Sequence, residues 1–529
     1  MNIISKLRYF SRIALITMAS ILWAPCSSAN LFLEDLLAED LLLEGVLPED
    51  LLQEEQSPQP PAVDLWQRIR RQLTLQQLEN PRISAERTWY QNNPDYMRRV
   101  SARAAPYLYY VVEEIERRGM PMEFALLPVM ESAYDPFAYS HGRAAGLWQI
   151  IPGTGRYLGL QQDWWYDGRR DVRTSTNAAL TYLTQLHKAF DGDWLKALAA
   201  YNAGQRRVKT AEARNRGSGR PTDFWSLKLP AETRTYVPRL LALAGVIADS
   251  KDDGVELTSI ANTPYFEAVD TGSQIDLAQA AQLAEIDIES IYLLNPGFNR
   301  WATSPTGPHE LLLPLSSSAT FISNLEALDQ GQRIQWTRYT VRSGDTLSQI
   351  AQRFNTTSGV IRDVNNLRGS SIVAGKTLMI ATASAPLQAY ALSADQRQAA
   401  KQDKGQGNRQ DYIVRPGDSF WTIARKYGVS TRKLAEWNGL ATRDRIHPGQ
   451  KLVIWTAQPL KLTGSPVANR QPMVRKLGYR VRNGDSLARI AGKFNISIDD
   501  IRDWNKKLLG KKYIHPGQTL TLYVDITGT

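Results

Sequence analysis

Apolar residues recur at helical spacing along the chain from Trp66 to about Ile260. Tyr107, Tyr110, Val111, Ile115 and Met120 spell one face, which Gly119 and Pro121 stop. A second, short helix is predicted from Pro121 through Leu126, Leu127 and Met130 to Glu131. Ala178, Ala179, Tyr182, Leu183, Leu186 and Phe190 give a third face, closed by Asp191-Gly192. Nowhere in this stretch do apolar and polar residues alternate long enough to predict a sheet. The pattern therefore predicts one mostly α-helical domain, bounded at 76–260, of ordinary domain size.

Further on the period changes and the chain repeats itself, which predicts an array of small units. Tyr339-Thr-Val-Arg-Ser-Gly-Asp-Thr-Leu, Tyr412-Ile-Val-Arg-Pro-Gly-Asp-Ser-Phe and Tyr479-Arg-Val-Arg-Asn-Gly-Asp-Ser-Leu align. Asparagine follows each Gly-Asp aspartate by 20 residues, at Asn365, Asn438 and Asn505. Ala374-Gly375, Pro448-Gly449 and Pro516-Gly517 then lead into a second β-like run. Each unit reads as strand, capped helix, second helix, turn, strand (βααβ), with the Asp or the Ser/Thr as helix cap. The bounds are 337–382, 410–456 and 477–525, with linkers at 381–409 and 457–475. These segments resemble LysM domains. A degenerate copy is predicted at 261–316; it has Asn295 and a closing run Leu311 to Pro314, but no Gly-Asp pair.

Composition and charge narrow the setting. The chain has 529 residues and is 43% apolar, so several folded units are expected rather than long disorder. Its net charge of +10 is unevenly placed. Residues 31–56 hold nine acidic side chains and no basic one; residues 401–529 hold 24 Lys plus Arg against 10 Asp plus Glu. A basic tail suits a polyanion. Lys6, Arg8 and Arg12 before the apolar run Ile13–Trp23 predict a signal peptide over 1–29, cleaved before Asn30. Export turns the expectation away from nucleic acid and towards the periplasm or cell envelope. Acylation of Cys26, which would add an outer-membrane association, is less favoured because Trp23 and Pro25 make a poor lipobox. Cys26 is the single cysteine, so no intramolecular disulfide is expected. The segment 30–75 reads as an acidic, Leu-rich leader and linker.

The candidate chemistry centres on Glu131. Leu126-Leu-Pro-Val-Met-Glu131-Ser132 sets a carboxylate at the end of an apolar helix, where desolvation raises its pKa. On position alone, a structural glutamate paired with Arg143 or an amide is the better reading. Its company decides the matter: Gly146-Leu147-Trp148-Gln149-Ile150, Ala199-Ala-Tyr201-Asn202-Ala-Gly204 and Glu232-Thr-Arg-Thr-Tyr236-Val follow in order. These motifs resemble those of the lytic transglycosylase (SLT) catalytic domain, a relative of goose-type lysozyme. The resemblance implies a multidomain chain, with a lysozyme-like helical catalytic domain followed by α+β LysM repeats. It implies Glu131 as acid and base, with Ser132, Gln149, Tyr201, Asn202 and Tyr236 at the substrate. Trp148 divides evenly between core residue and sugar platform, and His141 is not expected to be catalytic.

No second carboxylate is evident, since Pro136 disfavours helical geometry at Asp135. An intramolecular nucleophile then becomes attractive, and the family implies a 1,6-anhydro product on peptidoglycan, without metal or cofactor. Hydrolytic muramidase, non-catalytic wall-binding adaptor and a chitin substrate are the alternatives. LysM-like units imply glycan binding, with Gly344, Asp345, Gly417, Asp418, Gly484 and Asp485 as candidate contacts. Several weak sites on one chain would raise residence on an insoluble mesh.

Overall fold

The computed structural model describes residues 64–75, 80–250, 254–456, 474–482, 485–494, 496, 498–505 and 514–525. The expected signal peptide with Cys26, the acidic segment up to residue 63, residues 457–473 of the linker expected at 457–475, and Gly484 lie outside the described residues; the linker's last two residues, Val474 and Arg475, open a strand.

The helical body starts earlier than the residue-76 boundary expected from the pattern. α1 (Leu65–Arg70) is capped by the Asp64 side chain, which accepts from the Trp66 amide. Leu65, Trp66 and Ile69 are all buried in the main core. Arg70 Nε donates to the Ile247 carbonyl at 2.7 Å, and the buried Glu123 takes the Thr74 amide at 2.6 Å. The stretch 64–75 is thus part of the helical body, because its apolar residues have a core to enter.

The body continues with α2 (Pro81–Gln91), α3 (Pro94–Ala104), α4 (Leu108–Arg117), α5 (Leu127–Ser132) and α6 (Pro152–Tyr157). α7 (Val172–Ala189), α8 (Trp194–Ala203), α9 (Gln205–Gly217) and α10 (Ala231–Ala248) complete it. α10 is apolar on nearly every side, and Val237, Leu240, Leu241, Leu243 and Ile247 are all buried. Such a helix belongs at the centre of a bundle, and α2, α5 and α8 pack around it. Among the described residues of this body, only isolated β-bridges occur.

The repeats follow. β1 (Phe266–Asp270), α11 (Leu277–Leu283), α12 (Ile288–Leu294) and β2 (Glu310–Pro314) make a βααβ unit. It runs past residue 316 into α13 (Leu315–Glu326), whose buried Phe321 and Leu325 share the unit's core. The next unit is β3 (Gln335–Thr340), α14 (Leu347–Arg353), α15 (Ser358–Val364) and β4 (Thr377–Thr382). Between it and its successor lies α16 (Ala394–Gln402), so the expected linker at 381–409 is folded. Its Tyr390 is buried, and its hydroxyl donates to the Asp276 carboxylate at 2.8 Å. The remaining units are β5 (Asn408–Ile413), α17 (Phe420–Lys426), α18 (Thr431–Trp437), β6 (Lys451–Thr456), then β7 (Val474–Arg480), α19 (Leu487–Phe494), α20 (Ile498–Trp504), β8 (Thr519–Asp525). In each unit the two strands pair antiparallel, with Tyr339 opposite Leu378, Tyr412 opposite Leu452 and Tyr479 opposite Leu520.

One asparagine closes every unit. Asn365 Nδ2 donates to the Ile361 and Met379 carbonyls (2.8 and 2.7 Å), and its Oδ1 accepts the Met379 amide at 2.8 Å. Asn438 and Asn505 repeat the pattern on Val453 and Thr521. Asn295 repeats it on Leu312 in the copy that lacks Gly-Asp. A single side chain thus pins the second helix to the last strand.

The aspartate of each Gly-Asp is not the helix cap that the pattern allowed. Thr346 and Ser419 cap, each in a reciprocal capping box. Asp345 instead accepts the Tyr339 hydroxyl (2.6 Å) and the Arg342 amide (2.7 Å), closing the turn between strand and helix.

Candidate active site

Glu131 sits in the last turn of α5, a helix held in place by buried Leu127, Pro128 and Val129. The helix ends abruptly, because Ala133 and Tyr134 both adopt left-handed backbone (φ 52° and 54°). Such conformations are costly for residues with a Cβ and persist where the surroundings impose them. Here the fully buried Tyr134 supplies the constraint, its hydroxyl donating to the Ala125 carbonyl at 2.8 Å. The turn carries Asp135 off the helix, and Asp135 Oδ1 accepts the Phe137 amide instead (2.8 Å). It does not share a helical face with Glu131, as Pro136 predicts.

Across from Glu131, α10 supplies Tyr236, whose hydroxyl donates to Glu131 Oε1 at 2.6 Å. Burial pushes the Glu131 carboxyl up to about 7; the Tyr236 bond works against this, and the nearby Glu232 charge adds to it. Tyr201, from α8, donates to the Trp148 carbonyl at 2.8 Å. Burial first, then the Glu131 charge, holds the Tyr201 phenol far above its ordinary value. These residues line a cleft of about 550 Å³ together with Gln149, Asn202 and Tyr182.

The loop 143–150 forms one wall. Gly146 has φ 78°, and a Cβ there would meet the Arg169 carbonyl oxygen at 2.2 Å, so only glycine fits. Arg169 organises the loop from beneath. It is buried, grips Asp167 through Nε and Nη2 (2.9 and 2.7 Å), and donates Nη1 to the Arg143 carbonyl at 2.7 Å. Gln149 has φ 46°, and its Nε2 donates to the Gly146 carbonyl at 2.9 Å.

The expected site residues divide. Glu131, Gln149, Tyr201, Asn202 and Tyr236 come together around the cleft. Ser132 turns away: its Oγ lies 2.9 Å from the Leu147 carbonyl and 3.2 Å from that of Pro128. It ties the end of α5 to the loop, because a last-turn hydroxyl finds free carbonyls before it finds sugar. Trp148 is fully buried, with Nε1 on Thr176 Oγ1 at 2.9 Å, so it is a core residue. Arg143 pairs with Asp444 at 2.7 Å, not with Glu131. His141 accepts from Arg432 at 3.1 Å.

Gly344 and Gly417 hold positive φ (87° and 88°), and Asp345, Asp418 and Asp485 each accept a tyrosine hydroxyl and a backbone amide of their own turn. These pairs stand apart from the cleft. Glu232 belongs to the same motif as Tyr236 and lies outside the expected site set. It is exposed, lines the cleft and accepts from Asn202 Nδ2 at 3.3 Å. Arg169 carried no local sequence signal at all.

Comparison with known proteins follows the same division. Residues 111–223 match the Transglycosylase SLT domain, and 339–381, 412–455 and 479–522 match the LysM domain. Residues 265–330 match "Lytic transglycosylase MltD, LysM-like domain". Membrane-bound lytic murein transglycosylase D of Escherichia coli (strain K12) is 38% identical over 406 residues, 75% of this chain and 86% of that protein. Autolysin of Enterococcus faecalis is 30% identical over 171 residues, 32% of this chain and 22% of that protein. The structure of an inactive variant of lytic transglycosylase Slt from Pseudomonas aeruginosa aligns at 26% identity. It covers 28% of this chain and 24% of that one, with a TM-score of 0.21. A helical body with this cleft, followed by these repeats, is that of a lytic transglycosylase. The chain belongs to the family of membrane-bound lytic murein transglycosylase D.

Proposed function

We propose that this chain cleaves the β-1,4 bond between N-acetylmuramic acid and N-acetylglucosamine in peptidoglycan, with Glu131 serving first as acid and then as base. The observation that carries this reading is the half-buried Glu131 carboxyl, held at about 7 and hydrogen-bonded to Tyr236 in the wall of an open cleft. At neutral pH both protonation states are populated, which one residue performing both steps requires. Neutral Glu131 gives its proton to the glycosidic oxygen as the bond from muramic C1 breaks. The carboxylate then takes the proton of the muramic C6 hydroxyl while O6 bonds to C1. The product is a 1,6-anhydro end, and no water is consumed.

Tyr236 orients the carboxyl, and Tyr201 supports the wall through the Trp148 carbonyl. Gln149 and Asn202 face the sugar. The LysM units grip glycan, with the turns at Gly344-Asp345, Gly417-Asp418 and Gly484-Asp485 as contacts. Their aspartates shape the turn and leave backbone groups to meet the ligand. The site of action is the cell envelope, reached through the leader at 1–29.

A hydrolytic muramidase is the second reading, and Glu232 in the cleft wall is what favours it, as a base for water. Mass spectrometry of fragments released from purified peptidoglycan separates the two. Fragments one water lighter than hydrolysis products, and none with Glu131→Gln, are expected. Fragments carrying the added water, lost with Glu232→Gln, would replace the transglycosylase by the muramidase.

A further inference from the structure

A second pocket, of about 430 Å³, opens where four parts of the chain meet. Its walls are the loops at 137–139 and 163–170 of the helical body, Asn299-Arg300 of the degenerate unit, α16, and Gly439–Asp444 of the second LysM unit. Five cationic side chains face it (Arg169, Arg170, Arg300, Arg397, Lys401) against three carboxylates. All three carboxylates are already engaged. Asp167 holds Arg169 and, at 3.2 Å, Arg170. Asp163 accepts the Trp165 and Tyr166 amides (2.8 and 2.7 Å). Asp444 takes Arg143 at 2.7 Å and the Tyr139 hydroxyl at 3.1 Å.

Arg300 has its own partner outside the lining, Asp395 at 2.7 Å. That leaves two cations without a carboxylate among the described residues. Arg397 lies 4.3 Å above the Phe137 ring and, among the described residues, donates to the Leu392 carbonyl. Lys401 stands one helical turn further along α16. Beside them, Arg170 Nε is buried with no hydrogen-bond partner. Burial and then the neighbouring Arg170 charge push the Arg397 guanidinium down to about 9, with Tyr292 and Asp135 only partly offsetting them; burial and then the Arg397 charge lower Lys401, with Asp135 a partial offset. Uncompensated charge at such a joint is costly, and an anion relieves it.

The walls are fixed without that anion. The Ala394 amide donates to the Asn299 carbonyl at 2.8 Å, and Gln402 Nε2 to Asn438 at 2.9 Å, so α16 is pinned at both ends. The pocket's neighbour names the anion. Ser140 and Ala144 line the catalytic cleft, while Phe137 and Tyr139 of the same loop line this pocket. A glycan strand seated in the cleft carries its peptide on the muramic acid, and that peptide bears carboxylates. We propose that the pocket formed by Arg170, Arg397 and Lys401 binds a carboxylate of the stem peptide of the strand held in the cleft. Arginine suits the task because its fork matches a carboxylate in two-point contact.

This rests on the peptidoglycan reading of the cleft, and the experiment keeps the two separable. Isothermal titration would use the full chain carrying Glu131→Gln, so that the ligand stays intact. The probes are a peptidoglycan tetrasaccharide with its stem peptides and the same tetrasaccharide stripped of them by an amidase. The peptide-bearing probe should bind about tenfold tighter, the scale of one charge-assisted hydrogen bond. Arg397→Gln with Lys401→Gln should erase that margin and leave the stripped probe's affinity unchanged. Lys401→Gln alone, a smaller change in the last turn of α16, keeps the test readable should the double change unfold, with a roughly threefold loss expected. Equal binding of the two probes, or a margin surviving the double change, would overturn the pocket alone. Failure of both probes to bind would overturn the reading of the cleft as well.

Discussion

The degenerate unit at 265–330 and the third LysM unit at 479–522 share a fold and a closing asparagine, yet they sit in the molecule in opposite ways. Around Asn295 the chain is enclosed by the helical body. Tyr107 donates to the Leu293 carbonyl at 2.9 Å, the Asp167 amide to that of Gly297 at 2.8 Å, and the Asn299 amide to that of Trp165 at 2.8 Å. Tyr166 and Phe298 pack ring against ring at 5.2 Å. Around Asn505 the core is private: every residue in it, from Tyr479 to Leu522, belongs to that unit. The unit that lost its Gly-Asp turn kept the bond that makes the fold. The asparagine staple is common to all four βααβ units, whereas the Gly-Asp turn is present in three of them.

The widest separation should come from truncation. Ending the chain at residue 260 strips cover from Trp165 and Tyr166, both buried against the degenerate unit's core. Each large apolar side chain so exposed costs about 1.5–3 kcal/mol. The shortened body should melt many degrees lower and lose activity on soluble glycan. Ending it at residue 456 removes only the third unit, and the main transition and that activity should hold. Calorimetry with a turnover assay checks both; equal melting of the two truncated chains would break the comparison.

A finer test changes one residue in each unit. Asn295 and Asn505 are both buried and make the same set of backbone bonds. Truncation to Ala leaves buried backbone groups unpaired, at about 1–3 kcal/mol for each group. Asn295→Ala should therefore lower the main melting transition and the cleavage rate together. Asn505→Ala should loosen only the third unit, seen as faster amide exchange there, with catalysis on short strands intact. A fall in that catalysis with Asn505→Ala would mean that the third unit is coupled to the body after all.

How much of this was legible in the chain depends on range. The three LysM units and the helical body could be read because their signals are local: a turn, a cap, an apolar period. Glu131 and Tyr236 were found through motif resemblance, and their 2.6 Å contact joins residues 105 apart. Arg169 could not be found, since its carbonyl partners at Arg143 and Ile150 become neighbours only in the folded loop. The connection at 381–409 looked like a linker because its polar composition hides Tyr390, whose burial depends on Asp276 more than a hundred residues away. Ser132 shows the reverse failure. Its place beside Glu131 suggested sugar, and the local carbonyls claimed it.

The smallest effect is also the sharpest, because it has opposite signs in the two kinds of unit. Asp276, in the degenerate unit, is buried, and desolvation raises its carboxyl above the ordinary aspartate value of about 3.9, against the bonds from the Ser384 amide and Tyr390. In the first LysM unit, the Tyr339 hydroxyl and then the Arg342 amide hold Asp345 below that value. A raised carboxyl favours the fold when protonated, so what Asp276 contributes is present in acid and is lost as pH climbs past about 3.9 and through its folded value. A depressed carboxyl favours the fold when ionised, so what Asp345 contributes is present above about 3.9 and fades as pH falls through its lower, folded value. Amide exchange followed separately in the two units between about pH 3 and 6 should show the first LysM unit loosening on acidification while the degenerate unit does not. Asp345→Asn should flatten the acid-side loss, since both bonds fall on Oδ2, whose place an amide oxygen can take, and the amide no longer titrates. If both units loosened in parallel on acidification, the enclosed carboxylate would be no different from the exposed one, and the contrast between the units would reduce to where they sit.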